Sequence, residues 1–336
     1  VLALGEEGLS SLTADEIARL RMFNVRPRFV REIRELGLDA LSFDDLTELS
    51  VHNVRPQFIR ELRELGFTEL SVDEIVELSI HNISPNMIKE VRELGLADLK
   101  IEEIVELGIH NVRPQFIQEL RQMGFTDLSI SDLVEFGVHG VRANFIRELH
   151  DLGLGLSVDE LVEFSIHGVR PNFVRQLVEL GLNLTPEDIV EFAIHGVSPR
   201  FVREVKESGL EVDIDEIVEL QMHGVPASYV RRMLALDPDL DSRDVIRAFD
   251  SSLQPEEADV FRQAMGFELD MRDLRRLADT GVPVEYARKV VAAGLTGLDA
   301  KDLIRLYEND VQPETIREVI AGGLVDPSVK NLIEAQ

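Results

Sequence analysis

Apolar and polar residues follow one another along this chain in a pattern that returns every 28 or 29 residues. The copy from Ser71 to Leu99 shows the pattern in full. A short apolar stretch follows Ser71, and a second apolar stripe at helical spacing runs through Ile88 and Val91. The pattern therefore predicts two short helices, each of roughly ten residues, in every copy.

Residue types that begin and end helices recur at fixed places in each copy. Ser71 can cap the first helix, and Glu74, three residues later, completes a capping box. Asn82 stands where a left-handed residue should end that helix, and Gly95 is placed to end the second one. Small residues late in the first helix, such as Ser79, predict close approach of neighbouring helices. The predicted N-caps are Thr13, Ser42, Ser71, Lys100, Ser129, Ser157, Thr185, Asp213, Asp241, Asp270 and Asp299.

These signals predict an all-α protein, an α-solenoid of about eleven two-helix repeats of 28–29 residues. One short helix pair cannot bury its apolar residues alone, so neighbouring pairs must stack. We expect regular repeats over residues 13–237, divergent repeats over 238–323 and a C-terminal capping helix over 324–336. Val1 to Gly8 line up with Val30 to Gly37, in the second half of a repeat, so we expect residues 1–12 to be the end of a truncated repeat in a protein that continues upstream.

The charge of the chain narrows the classes of partner. It carries 63 acidic and 35 basic residues, a formal net charge of −28. This balance argues against nucleic acid, which needs a concentrated basic surface, and it suits either a basic partner or a merely solvated surface. No apolar run approaches the length that spans a bilayer, so we expect no direct membrane insertion. The absence of cysteine excludes disulfides and thiolate sites.

Signatures of common enzymes are missing from the sequence. It has no Gly-x-Ser-x-Gly elbow, no His-Glu-x-x-His motif, no phosphate-binding glycine loop and no dinucleotide fingerprint. We therefore expect no enzymatic activity, no catalytic residue, no cofactor and no bound metal.

One polar pair recurs near the end of the first helix, a glutamate followed four residues later by a histidine. Residues four apart share a helix face, so each pair can form a carboxylate–imidazole contact. Outside the seven repeats that carry the pair, both positions change together, as Arg247 and Ser251 show. These candidate binding residues, here called the Glu/His pairs, are Glu48 and His52, Glu77 and His81, Glu106 and His110, Glu135 and His139, Glu163 and His167, Glu191 and His195, and Glu219 and His223.

Three interpretations of the Glu/His pairs stay open at this stage. A histidine in the last turn can complement the helix dipole and contact the glutamate one turn earlier, which is a purely structural role. Glutamate and histidine can also bind Zn²⁺ or Ni²⁺, although two ligands per repeat fall short of a complete site. Seven histidines could instead make the array respond to pH.

The string His-Gly-Val-x-Pro-x-Phe-Val-Arg occurs twice, from His167 to Arg175 and from His195 to Arg203. It resembles tandem repeats that follow bacterial membrane metallopeptidases of the beta-lactam-sensor type and those of some anti-sigma-factor-like proteins. The resemblance implies an accessory sensing or docking region downstream of a separate signalling domain. It transfers no catalytic residue, because the metallopeptidase motif is absent from this chain.

The sequence as a whole favours a non-enzymatic repeat scaffold that presents an extended surface to a protein or peptide. A pH- or metal-responsive sensor that uses the Glu/His pairs is one alternative. A self-assembling structural element, with repeats stacking end to end, is another. The resemblance implies an extracytoplasmic location, and without it we expect a soluble cytoplasmic protein.

Overall fold

A computed structural model describes residues 13–38, 41–265, 269–323 and 328–334. Within those ranges the chain forms 23 helices and no strand, so the predicted all-α class is confirmed. Contacts divide the chain into two compact units, Val1–Pro171 and Asn172–Gln336. The predicted change from regular to divergent repeats, at residues 237 and 238, lies inside the second unit.

Two-helix repeats make up both units. In the first unit the helices are α1 (Ala14–Met22), α2 (Pro27–Glu35), α3 (Phe43–Val51), α4 (Pro56–Glu64), α5 (Val72–Ile80), α6 (Pro85–Glu93), α7 (Ile101–Ile109), α8 (Pro114–Gln122), α9 (Ile130–Val138), α10 (Ala143–His150) and α11 (Val158–Ile166). The next helix, α12 (Pro171–Glu179), begins at the boundary between the units and completes the sixth pair.

The second unit continues the same alternation. Its helices after α12 are α13 (Pro186–Ile194), α14 (Pro199–Glu207), α15 (Ile214–Met222), α16 (Ala227–Leu236), α17 (Ser242–Asp250), α18 (Pro255–Met265), α19 (Met271–Asp279), α20 (Val284–Ala292), α21 (Ala300–Glu308), α22 (Pro313–Ala321) and α23 (Val329–Glu334). Odd-numbered helices up to α21 are the first helices of eleven repeats, and even-numbered ones are the second helices. The predicted number of repeats is confirmed.

Local capping explains where the first helices begin. All eleven predicted N-caps hold that position. At Ser71 the hydroxyl accepts from the Glu74 amide at 3.2 Å, and the Glu74 carboxylate accepts from the Ser71 amide at 2.7 Å. Lys100 keeps only the second of these bonds, at 2.8 Å from Glu103, because its side chain has no acceptor. In the first repeat, hydrogen bonds from Thr13 lower the pKa of Glu16.

The first helices end on a left-handed residue, as predicted. Asn82 has a φ of 54°, and Gly168 holds the equivalent place in a later repeat with a φ of 66°. Asparagine and glycine tolerate this region better than other residues do. The residue before each of them is the C-cap, and in seven repeats that C-cap is the histidine of a Glu/His pair.

In each unit the first helices of neighbouring repeats pack against one another, and so do the second helices. In the first unit α3, α5, α7 and α9 contact one another in sequence, and so do α4, α6, α8 and α10. Among the first helices and among the second helices alike, a side chain of one repeat donates a hydrogen bond to the C-cap carbonyl of the preceding repeat. The Ser79 hydroxyl donates to the His52 carbonyl at 2.9 Å, and Arg92 Nη1 donates to the Leu65 carbonyl at 2.7 Å.

Two glycines show how closely the first helices approach. A Cβ placed on Gly137 would lie 2.7 Å from the His110 carbonyl oxygen. A Cβ on Gly108 would lie 2.4 Å from the Ile83 side chain. Both distances are shorter than van der Waals contact, so only glycine fits without rearrangement. The prediction that small residues at this position serve close helix approach is therefore confirmed for these two repeats.

Two of the three divergent repeats, those of α17 and α21, use aromatic residues at the same junction. Phe249 and Tyr307 occupy the position that Gly137 holds in its repeat. Phe249 packs edge-on against Tyr229 with ring centroids 5.1 Å apart, and Tyr307 packs against Tyr286 at 5.3 Å. The hydroxyls of Tyr229 on α16 and Tyr286 on α20 each donate to a main-chain carbonyl of the next repeat. Burial raises the pKa of Tyr286 to about 12.

The two ends of the chain are described unequally. The predicted truncated repeat over residues 1–12 lies outside the described residues, as do 324–327 and 335–336 of the predicted C-terminal capping helix. Within that last segment α23 packs against α21 and α22, and it buries Val329 and Leu332. No helix among the described residues has the length and apolar character needed to cross a membrane.

Candidate interaction surface

The structure places each histidine of the Glu/His pairs at the C-cap of a first helix. Its main-chain amide donates to the carbonyl of its own glutamate, at 2.9 Å for His167 and 3.0 Å for the other six. This is the last hydrogen bond of the helix, and any residue except proline can make it.

The side chains of the pairs do not meet. Among the described residues, none of the seven glutamate–histidine pairs forms a side-chain hydrogen bond or an ion pair. The expected carboxylate–imidazole contact is therefore wrong. Each histidine is the C-cap, where the helix ends, and six of the seven have a non-helical ψ, as His81 shows at 11°. The four-residue rule assumes a continuous helix. His223 alone has a carboxylate partner, Asp250 of the next repeat, with its Nδ1 3.0 Å from Oδ2.

Metal binding gains no support from this arrangement. Within the described ranges no group of three or more His, Asp or Glu side chains converges as metal ligands would. The glutamates and histidines of the pairs are instead exposed or half-buried along the surface.

The fold uses the main chain of the C-cap and does not need the imidazole. Ser165 donates to the His139 carbonyl at 3.0 Å, and Ser50 donates to the Phe23 carbonyl at 2.6 Å. Phe23 is the C-cap of α1 and has no imidazole, yet it accepts the same bond. Histidine at this position is therefore not required by the junction between repeats.

An exposed apolar residue precedes each of these C-caps, a feature that sequence reasoning missed. Ile80 and Ile109 are 51% and 50% exposed, although large aliphatic side chains at the end of an amphipathic helix usually belong to the core. Every first helix from α1 to α15 carries such a residue. This set, called the aliphatic row, consists of Met22, Val51, Ile80, Ile109, Val138 and Ile166 in the first unit and Ile194 and Met222 in the second.

Acidic residues occupy the same outward stripe of these helices. In α5, Asp73, Glu77 and Ile80 follow one another at spacings of four and three residues, so they share one exposed face. The glutamates of the Glu/His pairs form one acidic row next to the aliphatic row. The outer acidic row consists of Asp44, Asp73, Glu102, Asp159, Glu187 and Asp215, and Ser131 replaces an acid at this position in α9.

The divergent repeats carry basic residues at the two acidic positions and an acid at the position of the aliphatic row. In α17 the stripe reads Arg243, Arg247 and Asp250, and all three residues are exposed. The stripes of α19 and α21 are likewise basic, basic and acidic, and they contain Arg272, Arg276, Asp279, Lys301, Arg305 and Glu308. The Glu/His pairs, the acidic rows and the aliphatic row thus end together after α15.

Shallow clefts recur between neighbouring repeats. Each lies where the turn between the first and second helices of one repeat meets the same turn of the next repeat. One cleft of about 460 Å³ lies between the turns after His110 and His139 and is lined by Arg113, Phe116 and Arg142. A second, of about 350 Å³, lies between the turns of α3 and α5 and is lined by Arg55 and Phe58, among others. No residue of the aliphatic row lines either cleft.

Comparison with protein-family models and with curated proteins finds no match to this chain. The surface must therefore be interpreted from its own chemistry.

Proposed function

We propose that this chain is a non-enzymatic repeat scaffold that binds a protein or peptide along the exposed face of its first helices. The aliphatic row is the observation that supports the proposal. Exposed large aliphatic side chains are common singly, but a set repeated at one position in six consecutive repeats of the first unit, and in two of the second, is typical of an interaction surface. The junctions between repeats do not use these side chains, so folding supplies no reason to keep them apolar.

The His-Gly-Val-x-Pro strings support a more specific setting for this scaffold. By their resemblance, we propose an accessory region of a larger bacterial signalling protein, on the extracytoplasmic side if its signalling domain is of the membrane metallopeptidase type. The described residues hold no feature that favours catalysis over binding at the first-helix face.

The proposal can be tested by selecting peptides from a display library against the full chain. The binding of selected peptides should then be measured on the triple variant Val51→Ser, Ile80→Ser and Ile109→Ser. Burying the exposed half of each side chain contributes about 1 kcal/mol, so the triple variant should bind at least ten-fold more weakly.

A matched triple variant changes exposed residues in the second helices of the same repeats, Gln57→Ser, Lys89→Ser and Gln118→Ser. Its binding should equal that of the wild type. If the selected peptides lose affinity for this variant and keep it for the row variant, the first-helix face is not the binding surface.

A further inference from the structure

We infer that the partner segment is cationic and amphipathic, with aliphatic side chains on the aliphatic row and Lys or Arg side chains on the acidic rows. This inference rests on the proposed function and specifies the chemistry of the partner. Three observations support it. The aliphatic row lies beside the acidic rows, the acidic rows form no ion pairs among the described residues, and the divergent repeats have basic residues at the acidic positions.

The aliphatic row and the glutamates of the Glu/His pairs are neighbours on every first helix from α3 to α15, and the outer acidic row joins them on each of these helices except α9, which has Ser131. Ile109 lies three residues after Glu106 and seven after Glu102, so the three side chains occupy one stripe along α7. A segment that crosses the first helices over the aliphatic row therefore has a line of carboxylates immediately beside it. Basic side chains on one edge of that segment would meet these carboxylates at the rim, where they stay partly solvated.

The charges of the acidic rows are not neutralised within the protein. Among the described residues, no side chain of either acidic row forms an ion pair. The second helices differ, because there acids pair with bases: Arg28 binds Glu32 at 2.6 Å, Arg200 binds Glu204 at 2.8 Å, and Arg147 binds Glu119 of the preceding repeat at 2.5 Å. The first-helix face thus has negative charge available for a partner, and the second-helix face is largely balanced.

Close packing keeps the rows together from one repeat to the next. In the first unit the regular first helices α3, α5, α7, α9 and α11 contact one another in order. Their contacts lie one residue from the aliphatic row, since Gly108 and Gly137 precede Ile109 and Val138. The first unit alone therefore carries five consecutive stripes of this composition.

The divergent repeats indicate which charge the surface selects. Their first helices keep the fold but place Arg247, Arg276 and Arg305 where α3 to α15 have glutamate. The first repeat also has an arginine at this position, Arg19. The divergent repeats also place an acid where the aliphatic row would continue. A cationic amphipathic segment would be repelled there, and this repulsion limits it to the regular repeats.

The experiment compares two synthetic amphipathic peptides of equal length with identical leucine positions, one with lysine and one with glutamate at every polar position. Their affinities for the full chain are measured by fluorescence anisotropy at low and moderate ionic strength. The lysine peptide should bind at least ten-fold more tightly, and its affinity should fall as salt screens the acidic rows. It should also lose affinity for the row variant Val51→Ser, Ile80→Ser and Ile109→Ser.

A charge exchange provides the decisive variant. The substitutions Glu48→Lys, Glu77→Lys and Glu106→Lys should reverse the preference, so that the glutamate peptide binds more tightly. The control Glu35→Lys, Glu64→Lys and Glu93→Lys changes the net charge equally but at exposed ends of second helices, and it should keep the preference for the lysine peptide.

The outcomes separate this inference from the proposed function. If both peptides, or only the glutamate peptide, depend on the aliphatic row, the surface binds partners but the inferred chemistry is wrong. If light scattering shows self-association that the row variant abolishes, the occupant is a second copy of this chain, and the inference is again wrong. If neither the two peptides nor any selected peptide depends on the row, the proposed function itself fails.

Discussion

The first helices of the regular repeats and those of the divergent repeats share their backbone plan and differ in their outer face. Helices α5 and α19 both have nine residues, begin at a side-chain cap and end before a left-handed residue. Outward, α5 carries two acids and an isoleucine, and α19 carries two arginines and an aspartate. The comparison shows that the residues that make the fold and the residues that face outward are different sets.

The two regions also differ in how their first helices meet. From α3 to α13 a small residue occupies this place: Gly108 and Gly137 allow close approach, and a serine such as Ser79 donates to the preceding C-cap carbonyl. In two of the divergent repeats an aromatic ring fills the same place and packs against a tyrosine of the second helix. The small residue and the aromatic ring therefore each suit one spacing of the first helices. Exchanging one for the other should destabilise the junction.

Gly137→Phe tests this incompatibility and should have the largest effect. It places the ring found at Phe249 where even a Cβ would lie 2.7 Å from the His110 carbonyl oxygen. Overpacking against main chain should lower the free energy of unfolding by about 3 kcal/mol or more, measured by urea denaturation. Ser79→Ala is the control, with a loss of about 1 kcal/mol for one hydrogen bond. Equal stability of Gly137→Phe and wild type would show that the two junctions are interchangeable.

Tyr229→Phe tests the junction of the divergent repeats. The buried Tyr229 hydroxyl donates to the Leu253 carbonyl of the next repeat at 2.8 Å. Removing the hydroxyl leaves that carbonyl without its donor and should cost about 1–2 kcal/mol in thermal or urea unfolding. Tyr307→Phe is the matched control, since Tyr307 is partly exposed and forms a ring contact only, and it should change stability little. Equal losses in the two variants would refute a specific role for the Tyr229 hydrogen bond.

Asp270→Ser should give the smallest change in the free energy of unfolding, and it should change how that free energy depends on pH. Asp270 accepts from the Asp273 amide at 2.8 Å, but the two acids form no reciprocal capping box like that of Ser71 and Glu74. Partial burial, and to a smaller degree the charge of Asp270, raises the pKa of Asp273. A carboxyl whose pKa is raised by folding binds its proton more tightly in the folded state, so stability falls as pH rises through its titration.

Serine at residue 270 keeps the cap and removes the neighbouring charge. The variant should be about 0.5 kcal/mol more stable than wild type at pH 7, and the gain should shrink towards pH 3. Thermal unfolding across this pH range measures both. A gain that grows as the pH falls would contradict the assignment.

Most of the fold could be predicted from the sequence because its signals are local. The N-caps, the capping-box acids and the left-handed asparagines act within a few residues, so reading them needs no knowledge of the neighbouring repeats. Ser71, Glu74 and Asn82 all take the predicted roles. The spacing of repeats follows from these signals together, since each unit must end before the next one begins.

The candidate surface could be predicted only in part. The Glu/His pairs lie at the end of the first helices that also carries the aliphatic row, but their expected contact depended on helical geometry that stops at the C-cap. Ile80 was not recognised as exposed because Ile75, Val76 and Leu78 on the same helix are buried, and hydrophobicity alone cannot tell which apolar side a short helix turns outward. The co-occurrence of an apolar residue with each Glu/His pair was the available signal.

The C-cap carbonyl that joins neighbouring first helices has a consequence for how such a protein can change over time. The Ser50 hydroxyl donates to the Phe23 carbonyl and the Ser165 hydroxyl donates to the His139 carbonyl, so the bond does not depend on which residue supplies the carbonyl, and exchange of the repeat that supplies it should leave the bond in place. The outward stripe of one repeat can then vary as a unit, independently of the other repeats. Under the proposed function, the order of these stripes along the chain, rather than any single stripe, would determine which partner binds.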